Sequence, residues 1–317
     1  MKPELITAYT LSHGHFTVIP HNLEENFKDM ADMGYNAAAL SFSESEWAYS
    51  RRAFEIQVDL AHKQGLKVFV VPSRLGGRFA GAPLMPGLWI TKHPEAQIPN
   101  HMGFAGPIAC LEDRGFREWI FKFMENLLND YPLDGVIWDE PKYERQISKH
   151  PATIAKYGEN PTPEQMEDGC VDFIQDLTAH CLKLKPNLTF TMFRTKNATP
   201  RFTQNTCFIK GIDYFGYDGN LSRLSFFHEE PFWYKYRIET VWERTVSECQ
   251  AANKKTFAQI ENMLMPKEAI PEYEQNLENF LQTYHPDHLS IYYYAHNNED
   301  PETVEQINRK LMKKYLK

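Results

Sequence analysis

Two carboxylates stand side by side where a short apolar segment ends. Residues 134–140 have the sequence DGVIWDE, and Pro141 follows. Proline has no amide hydrogen with which to continue a sheet ladder, so a strand formed here stops and leaves Asp139 and Glu140 at its carboxyl end. An apolar neighbour such as Trp138 and a second carboxylate both raise the pKa of a carboxyl group. The pattern therefore predicts that Glu140 stays protonated and acts as a general acid near neutral pH.

Other apolar segments also end in polar side chains. Glu261 ends the segment TFAQIE, and Asp218 ends GIDYFGYD. If these segments are strands of one parallel barrel, their carboxyl ends meet at one rim, where barrel enzymes have their active sites. We expect Arg194 to keep a neighbouring carboxylate charged. The candidate substrate-binding residues at the segment ends are His13, His15, Glu44, Arg74, Trp138, Tyr143, Arg194, Tyr217, Asn262, Tyr294, His296 and Asn297.

The sequence His13-Gly14-His15 resembles the metal-binding pair of amidohydrolase barrels. Those barrels also carry histidines after the fifth and sixth strands and an aspartate after the eighth. Arg194, Asp218 and His296 stand at the corresponding places here, so a three-histidine zinc site is not assembled. We expect no metal and no cofactor, and we expect the two histidines to bind substrate hydroxyls or to shape their loop.

The elements that position these residues alternate between apolar strands and amphipathic helices. Alternation of this kind predicts a parallel sheet, and about eight units in 317 residues predict a single (β/α)8 barrel spanning residues 1–317. An open doubly wound sheet would need a glycine-rich phosphate loop after the first strand, where the chain has SHGHFT. Strands are predicted at 5–11, 36–43, 67–73, 134–140, 188–194, 211–218, 255–262 and 289–297, and helices at 22–33, 47–63, 114–129, 163–184, 237–253, 271–284 and 301–315.

Two connecting segments are long for such a barrel. Residues 74–112 follow the third strand, and the aromatic segment 219–236 follows the sixth. We expect both to border the pocket that holds Glu140. Trp233 in the second segment offers either a ring face for the apolar side of a sugar or a member of the loop's own hydrophobic cluster.

Composition excludes several classes of function. The formal net charge is −8 and no basic cluster of the kind that binds nucleic acid is present. No apolar run reaches the roughly 18 residues of a membrane span, and the start MKPELITAYT lacks a signal-peptide pattern, so we expect a cytoplasmic protein. The five cysteines show no CxxC spacing, which argues against a disulfide framework or a thiolate zinc site.

The motif Asp139-Glu140-Pro141 resembles the Asn-Glu-Pro of the 4/7 superfamily of retaining glycosidases. That resemblance implies a (β/α)8 enzyme that cleaves glycosidic bonds, with Glu140 as acid/base and Glu261 as nucleophile. Tyr217 resembles the tyrosine that hydrogen-bonds the nucleophile. The chain departs from the pattern at Asp139, where the superfamily has asparagine, and after the eighth strand, where it has tyrosine and histidine in place of tryptophan.

The segment Ile137-Trp138-Asp139-Glu140 also resembles the fourth strand of retaining α-glycosidases. This second resemblance implies Asp139 as nucleophile and Asp218 as the acid. Both assignments imply a carbohydrate substrate, and the sequence leaves the choice of carboxylates, the sugar and the oligomeric state open. Two other classes also remain: a metal-dependent barrel lyase or isomerase, and a barrel that binds carbohydrate without turnover.

Overall fold

Eight parallel strands pair in chain order, and the first pairs with the eighth to close a barrel. The computed structural model describes residues 2–10, 18–81, 86–98, 106–142, 148–194, 198–222, 237–292, 294 and 298–316. The predicted (β/α)8 barrel is confirmed, and the open-sheet alternative is wrong because Leu5 lies beside His288. The strands are β1 Leu5–Thr10, β2 Ala37–Phe42, β3 Lys67–Pro72, β4 Gly135–Asp139, β5 Thr189–Arg194, β6 Tyr214–Asn220, β7 Lys255–Glu261 and β8 His288–Tyr292.

Helices surround the barrel and mostly follow the predicted segments. The described helices are α1 Pro20–Met33, α2 Glu44–Tyr49, α3 Arg51–Lys63, α4 Leu88–Lys92, α5 Arg114–Asp130, α6 Pro151–Tyr157, α7 Pro163–Leu184, α8 Pro200–Cys207, α9 Trp242–Ala252, α10 Ile270–Thr283 and α11 Pro301–Tyr315. Thr162 and Gln165 form a capping box at the start of α7, and Pro163 fits its first turn. Local capping chemistry of this kind explains why the predicted start of α7 is confirmed.

Several predicted boundaries differ from the structure. The helix predicted from residue 22 begins at Pro20, whose ring already fixes a helical φ. The single helix predicted at 47–63 is two helices, α2 and α3, separated by Ser50. The short helices α6 and α8 were not predicted.

Strand β6 runs later along the chain than predicted. Gly211 has φ 84°, a left-handed turn that glycine adopts without strain, and the strand begins three residues later at Tyr214. It continues to Asn220, two residues beyond the predicted end. This shift brings one more side chain to the mouth of the barrel than the sequence pattern indicated.

The core has two parts on opposite sides of the sheet. Side chains of successive strand residues alternate between the barrel interior and the layer between barrel and helices. The larger cluster lies in the outer layer. The interior cluster consists of Leu5, Tyr9, Ala37, Ala39, Phe69, Val71, Ile137, Phe193, Tyr214 and Phe257.

In the part of the chain that the structure describes, no helix has the length and apolar character needed to cross a membrane.

Candidate active site

Three carboxylates occupy inward-facing positions at the carboxyl end of the barrel. They are Asp139 at the end of β4, Asp218 in β6 and Glu261 at the end of β7. Each follows a residue of the interior cluster by two or four positions, so the alternation of the strand turns it toward the barrel axis. Those interior residues are Ile137, Tyr214 and Phe257.

Glu140 joins the same group through its backbone conformation. Its φ is 38°, a left-handed value that is uncommon outside glycine and costs a non-glycine residue on the order of 1–3 kcal/mol. Its carboxylate forms an ion pair with Lys142 and a hydrogen bond with Asp218, and its side chain is 13% exposed. The four predicted carboxylates therefore meet at one mouth.

The four groups do not hold protons equally. Burial raises the pKa of Asp218 well above its ordinary range, and the negative charges of Glu140 and Glu261 raise it further. These shifts favour the protonated form of Asp218, which can donate a hydrogen bond to Glu140. Burial also opposes ionisation of Glu140. This effect is outweighed by Lys142, by the hydrogen bond from Asp218 and by the charge of Arg194, so the pKa of Glu140 is lowered.

The other two carboxyl groups lie between these extremes. Burial and the charge of Glu140 raise the pKa of Asp139 to about 7, against the opposing effects of Lys142, Arg74 and Tyr9. Burial, with the charges of Glu140 and Asp139, raises the pKa of Glu261 to about 8. The prediction that Glu140 would be the protonated member is wrong.

Positive and hydrogen-donating groups surround this cluster. The Tyr9 hydroxyl donates to Asp139 Oδ2 at 3.3 Å. Arg194 donates to the carbonyl oxygen of Pro141 and lies 4.2 Å from the ring centre of Phe202. The charge of Arg194 lowers the pKa of Glu140, which is the direction expected of it.

The long segment after β3 binds the end of β4, as expected for a wall of the pocket. The Arg78 guanidinium donates to the carbonyl oxygens of Ala109 at 2.6 Å and of Lys142 at 3.2 Å. The backbone amide of Ala80 donates to the carbonyl oxygen of Asp139 at 2.8 Å. Arg78 therefore joins the two ends of the segment to each other and, with Ala80, binds the chain at and just after the end of β4.

Two predicted site residues point away from the mouth. Trp138 is fully buried in the layer outside the barrel, where its indole nitrogen donates to Thr178 Oγ1 of α7 at 2.9 Å. Tyr217 likewise faces outward and donates to Glu248 of α9 at 2.8 Å. Neither contacts substrate at the mouth, because each is one position out of phase with the neighbouring aspartate on its strand.

Three further candidates serve neighbouring elements. Tyr294 donates to Asp29 of α1 at 3.0 Å, and Asn262 lies beside the Tyr273 hydroxyl of α10. Substrate contact is therefore corrected for Tyr294, while for Asn262, whose carboxamide has no hydrogen-bond partner among the described residues, it stays a prediction. The carboxylate of Glu44 accepts hydrogen bonds from the backbone amides of Gly76 and Trp89, so it anchors the segment after β3.

The remaining candidates divide into one placed residue and six that stay predictions. Arg74, with φ 58°, stands at the mouth, where its charge lowers the pKa of Asp139. Among the described ranges, no group of three or more histidine, cysteine, aspartate or glutamate side chains is arranged to hold a metal ion. His13, His15, Tyr143, Trp233, His296 and Asn297 lie outside the described residues.

Sequence reasoning missed three residues of the mouth: Tyr9, Lys142 and Asn220. Tyr9 is the inward-facing residue next to the end of β1. The alternation of strand residues, with Ala8 facing outward and Tyr9 inward, could have predicted its position. Asn220 was placed in a loop because β6 was ended too early. Lys142 carries no signal in the sequence, since only the turn at Glu140 brings its ammonium group to the carboxylate.

Neither protein-family descriptions nor curated proteins match this sequence. Solved structures do match its fold. A beta-galactosidase from the psychrophilic Marinomonas ef1 aligns over 98% of this chain and 59% of its own, at a TM-score of 0.65 and 10% identity. The endo-1,4-beta-mannanase of Rhizomucor miehei aligns over 97% and 94%, at a TM-score of 0.62 and 10% identity.

A third solved structure with a similar fold is a fucosidase. Alpha-L-fucosidase isoenzyme 2 from Paenibacillus thiaminolyticus aligns over 99% of this chain and 49% of its own, at a TM-score of 0.62 and 13% identity. This chain thus spans roughly half to three fifths of the galactosidase and the fucosidase. At such identities the comparisons establish the shared barrel fold.

Proposed function

We propose that this chain is a glycoside hydrolase in which Asp139 is the nucleophile and Asp218 the acid/base. The observation that carries the proposal is the gathering of four carboxyl groups at one barrel mouth, where their surroundings shift their pKa values in different directions. Glycosidic cleavage needs a proton for the leaving oxygen and a negative group at the carbon that becomes cationic. A protonated Asp218 and an Asp139 that ionises near pH 7 meet both needs.

The reaction proceeds in two steps. Asp139 attacks the anomeric carbon while the Asp218 proton passes to the leaving oxygen, so an ester forms as the glycosidic bond breaks. Asp218, now a carboxylate, then removes a proton from water, and that water attacks the same carbon and releases Asp139. The proton that Asp218 loses in the first step returns in the second.

The relative pKa values favour this pair over Glu140 and Glu261. The alternative requires Glu140 to donate a proton and Glu261 to be the anion. Lys142 instead lowers the pKa of Glu140, while burial raises that of Glu261 to about 8. In the proposed mechanism Glu140 has a positioning role: its negative charge keeps the proton on Asp218.

The fold neighbours support a carbohydrate substrate without selecting a sugar. They are a beta-galactosidase, a mannanase and an alpha-L-fucosidase, and each of these enzymes cleaves a glycosidic bond. We therefore propose glycosides as the substrate class and leave the sugar to measurement.

The first testable prediction concerns the catalytic pair. Asp139→Asn and Asp218→Asn each remove one required group, and we expect losses of roughly 10²–10⁴-fold or more in kcat on aryl α- and β-glycosides. Glu140→Gln and Glu261→Gln change the other two carboxyl groups of the mouth, and we expect smaller losses from them, because neither group attacks the sugar or supplies its proton in the proposed mechanism. Azide should restore activity to Asp139→Ala.

Other outcomes would assign the chemistry differently. If Glu140→Gln and Glu261→Gln are the inactive variants and azide rescues Glu261→Ala, the pair is Glu140 and Glu261. If the unmodified protein binds sugars but hydrolyses none of the glycosides, the proposed hydrolase is wrong and the barrel is a binding protein. Activity that chelators abolish would identify a metal-dependent enzyme.

A further inference from the structure

Asn220 is a buried polar residue at the mouth that the proposed mechanism does not use. It ends β6, two residues after Asp218, and therefore faces the same side of the strand. Across the sheet its Cα pairs with that of Glu261 in β7. The residue is 1% exposed, so its carboxamide is held within the mouth rather than in bulk water.

The carboxamide oxygen of Asn220 lacks a donor. Within the described part of the chain, Asn220 Oδ1 is buried without a hydrogen-bond partner, and so is Oδ1 of Asp218. A buried acceptor in this state costs roughly 1–3 kcal/mol, which is why folded proteins rarely leave one unpaired. Two such oxygens on one face of one strand indicate that a ligand supplies the donors.

Sugar hydroxyl groups are suitable donors. Neighbouring strands lie roughly 5 Å apart, so the Asn220 and Glu261 side chains stand close enough to reach hydroxyls on adjacent ring carbons. Burial raises the pKa of Glu261 to about 8, so that this carboxyl group can donate as well as accept. An amide beside such a carboxyl group can bind a pair of hydroxyls.

We propose that Asn220 determines specificity: together with Glu261 it binds two adjacent hydroxyls of the sugar whose glycosidic bond is cleaved. The substrate class is then a glycoside whose reacting sugar carries an unsubstituted vicinal diol. This inference rests on the proposed function, because it assigns a role at the same site. Asn220 touches the substrate away from the reacting carbon and exchanges no proton with it.

The test compares Asn220→Ala with the unmodified protein on an aryl glycoside and on its monodeoxy analogues. We expect the variant to lose roughly 10- to 100-fold in kcat/KM on the intact glycoside. On the analogue that lacks the hydroxyl bound by Asn220, the two proteins should agree within about threefold. A loss of equal size on every analogue would show that Asn220 is structural and overturn the proposal.

A matched control and a binding measurement complete the test. Asn308 of α11 is equally buried, at 2% exposed, but its Oδ1 accepts from Tyr273 in the helix layer. Asn308→Ala should lower thermal stability without changing the ratio between intact and deoxy substrates. Calorimetric binding of free monosaccharides and their deoxy analogues does not require turnover, so it tests Asn220 even if hydrolysis fails; equal affinity for both sugars, or no binding, would overturn the proposal.

Discussion

At the residue scale, the immediate neighbours of each carboxyl group decide its chemistry. Asp139 and Glu140 are adjacent in sequence, yet their pKa values shift in opposite directions. Lys142 pairs with Glu140, whereas Asp139 receives one hydrogen bond from Tyr9 and the repulsion of Glu140. Two neighbouring carboxyl groups can thus differ, one with a lowered pKa and one that titrates near neutrality.

The pH dependence of activity follows from these shifts. Asp139 must be ionised and Asp218 protonated, so kcat/KM should rise with pH through about 7 and fall at higher pH, where Asp218 loses its proton. Rate measurements on glycosides with good and poor leaving groups check this. A good leaving group departs without a proton, so the decrease of kcat/KM at high pH should be weaker for it. An acid limb near pH 4 would contradict the assignment of Asp139.

Tyr9 offers a specific variant for the same measurement. Its hydroxyl stabilises the Asp139 anion, so Tyr9→Phe should move the acid limb upward by roughly half a unit to one unit. Tyr214 is a matched control, since it is another interior tyrosine, but its hydroxyl donates to Glu4 at the amino-terminal end of the barrel. Tyr214→Phe should leave the limb in place, and an equal shift in both variants would exclude a direct effect of Tyr9.

At the scale of elements, β4 combines two functions through its alternation. Asp139 faces the mouth, while Trp138 faces α7, packs on Phe79 and hydrogen-bonds Thr178. The outward face fixes the strand against its helix, and the inward face presents the carboxylate. Packing of this kind supplies the rigid support that a catalytic group needs.

Removing the partner of Trp138 should affect stability alone. Thr178→Val leaves the buried indole N–H without an acceptor, which should lower the free energy of unfolding by roughly 1–3 kcal/mol. Denaturant titration measures this, and KM should not change. Thr206→Val is the control, because that buried hydroxyl donates only to carbonyl oxygens of its own helix, at Phe202 and Thr203. A large rise in KM for Thr178→Val would instead indicate that Trp138 contributes to substrate binding.

At the scale of the whole molecule, polar groups inside the barrel connect strands that are distant in sequence. His288 of β8 bonds Thr7 of β1 at 2.6 Å and Thr191 of β5 at 3.1 Å, one hydroxyl at each ring nitrogen. Burial lowers the pKa of His288 to about 3, so the ring is neutral in the folded barrel. Its protonation is therefore linked to the stability of the closed sheet.

This linkage predicts a loss of stability in acid. Between the ordinary value of 6.5 and the folded value of about 3, the unfolded chain binds a proton that the folded chain does not. The contribution of His288 is complete above pH 6.5 and decreases as the pH falls, by up to about 1.4 kcal/mol per unit. The raised pKa values of Asp139 and Glu261 act in the opposite direction, because their folded forms retain protons that the unfolded chain releases.

A single variant separates the two effects. His288→Gln removes the titrating ring and leaves the carboxylates unchanged, so its unfolding free energy should fall less between pH 7 and 4 than that of the unmodified protein. Denaturant titrations at several pH values measure the unfolding free energy of both proteins. Their difference at pH 7 gives the cost of the substitution itself and serves as the reference. Parallel pH profiles for both proteins would show that His288 does not contribute.

The sequence by itself determined the architecture and the chain positions of the carboxylates. Alternating apolar and amphipathic segments predict the barrel, because each segment's own periodicity decides whether it forms a strand or a helix. An apolar run that ends in charge and proline predicts the exit of β4, and apolar runs that end in a carboxylate, without a proline, marked Asp218 and Glu261. These are local properties, which neighbouring residues in the chain are sufficient to specify.

Only the tertiary structure decided which side chains face the mouth and which of them hold protons. The directions of Trp138 and Tyr217 depend on strand phase, and the position of Asn220 depends on where β6 ends. The low pKa of Glu140 depends on Lys142, which a left-handed turn brings to it, and on Asp218 from another strand. Electrostatic interactions act through space between groups far apart in sequence, so the proton distribution follows from the folded arrangement and not from the order of residues.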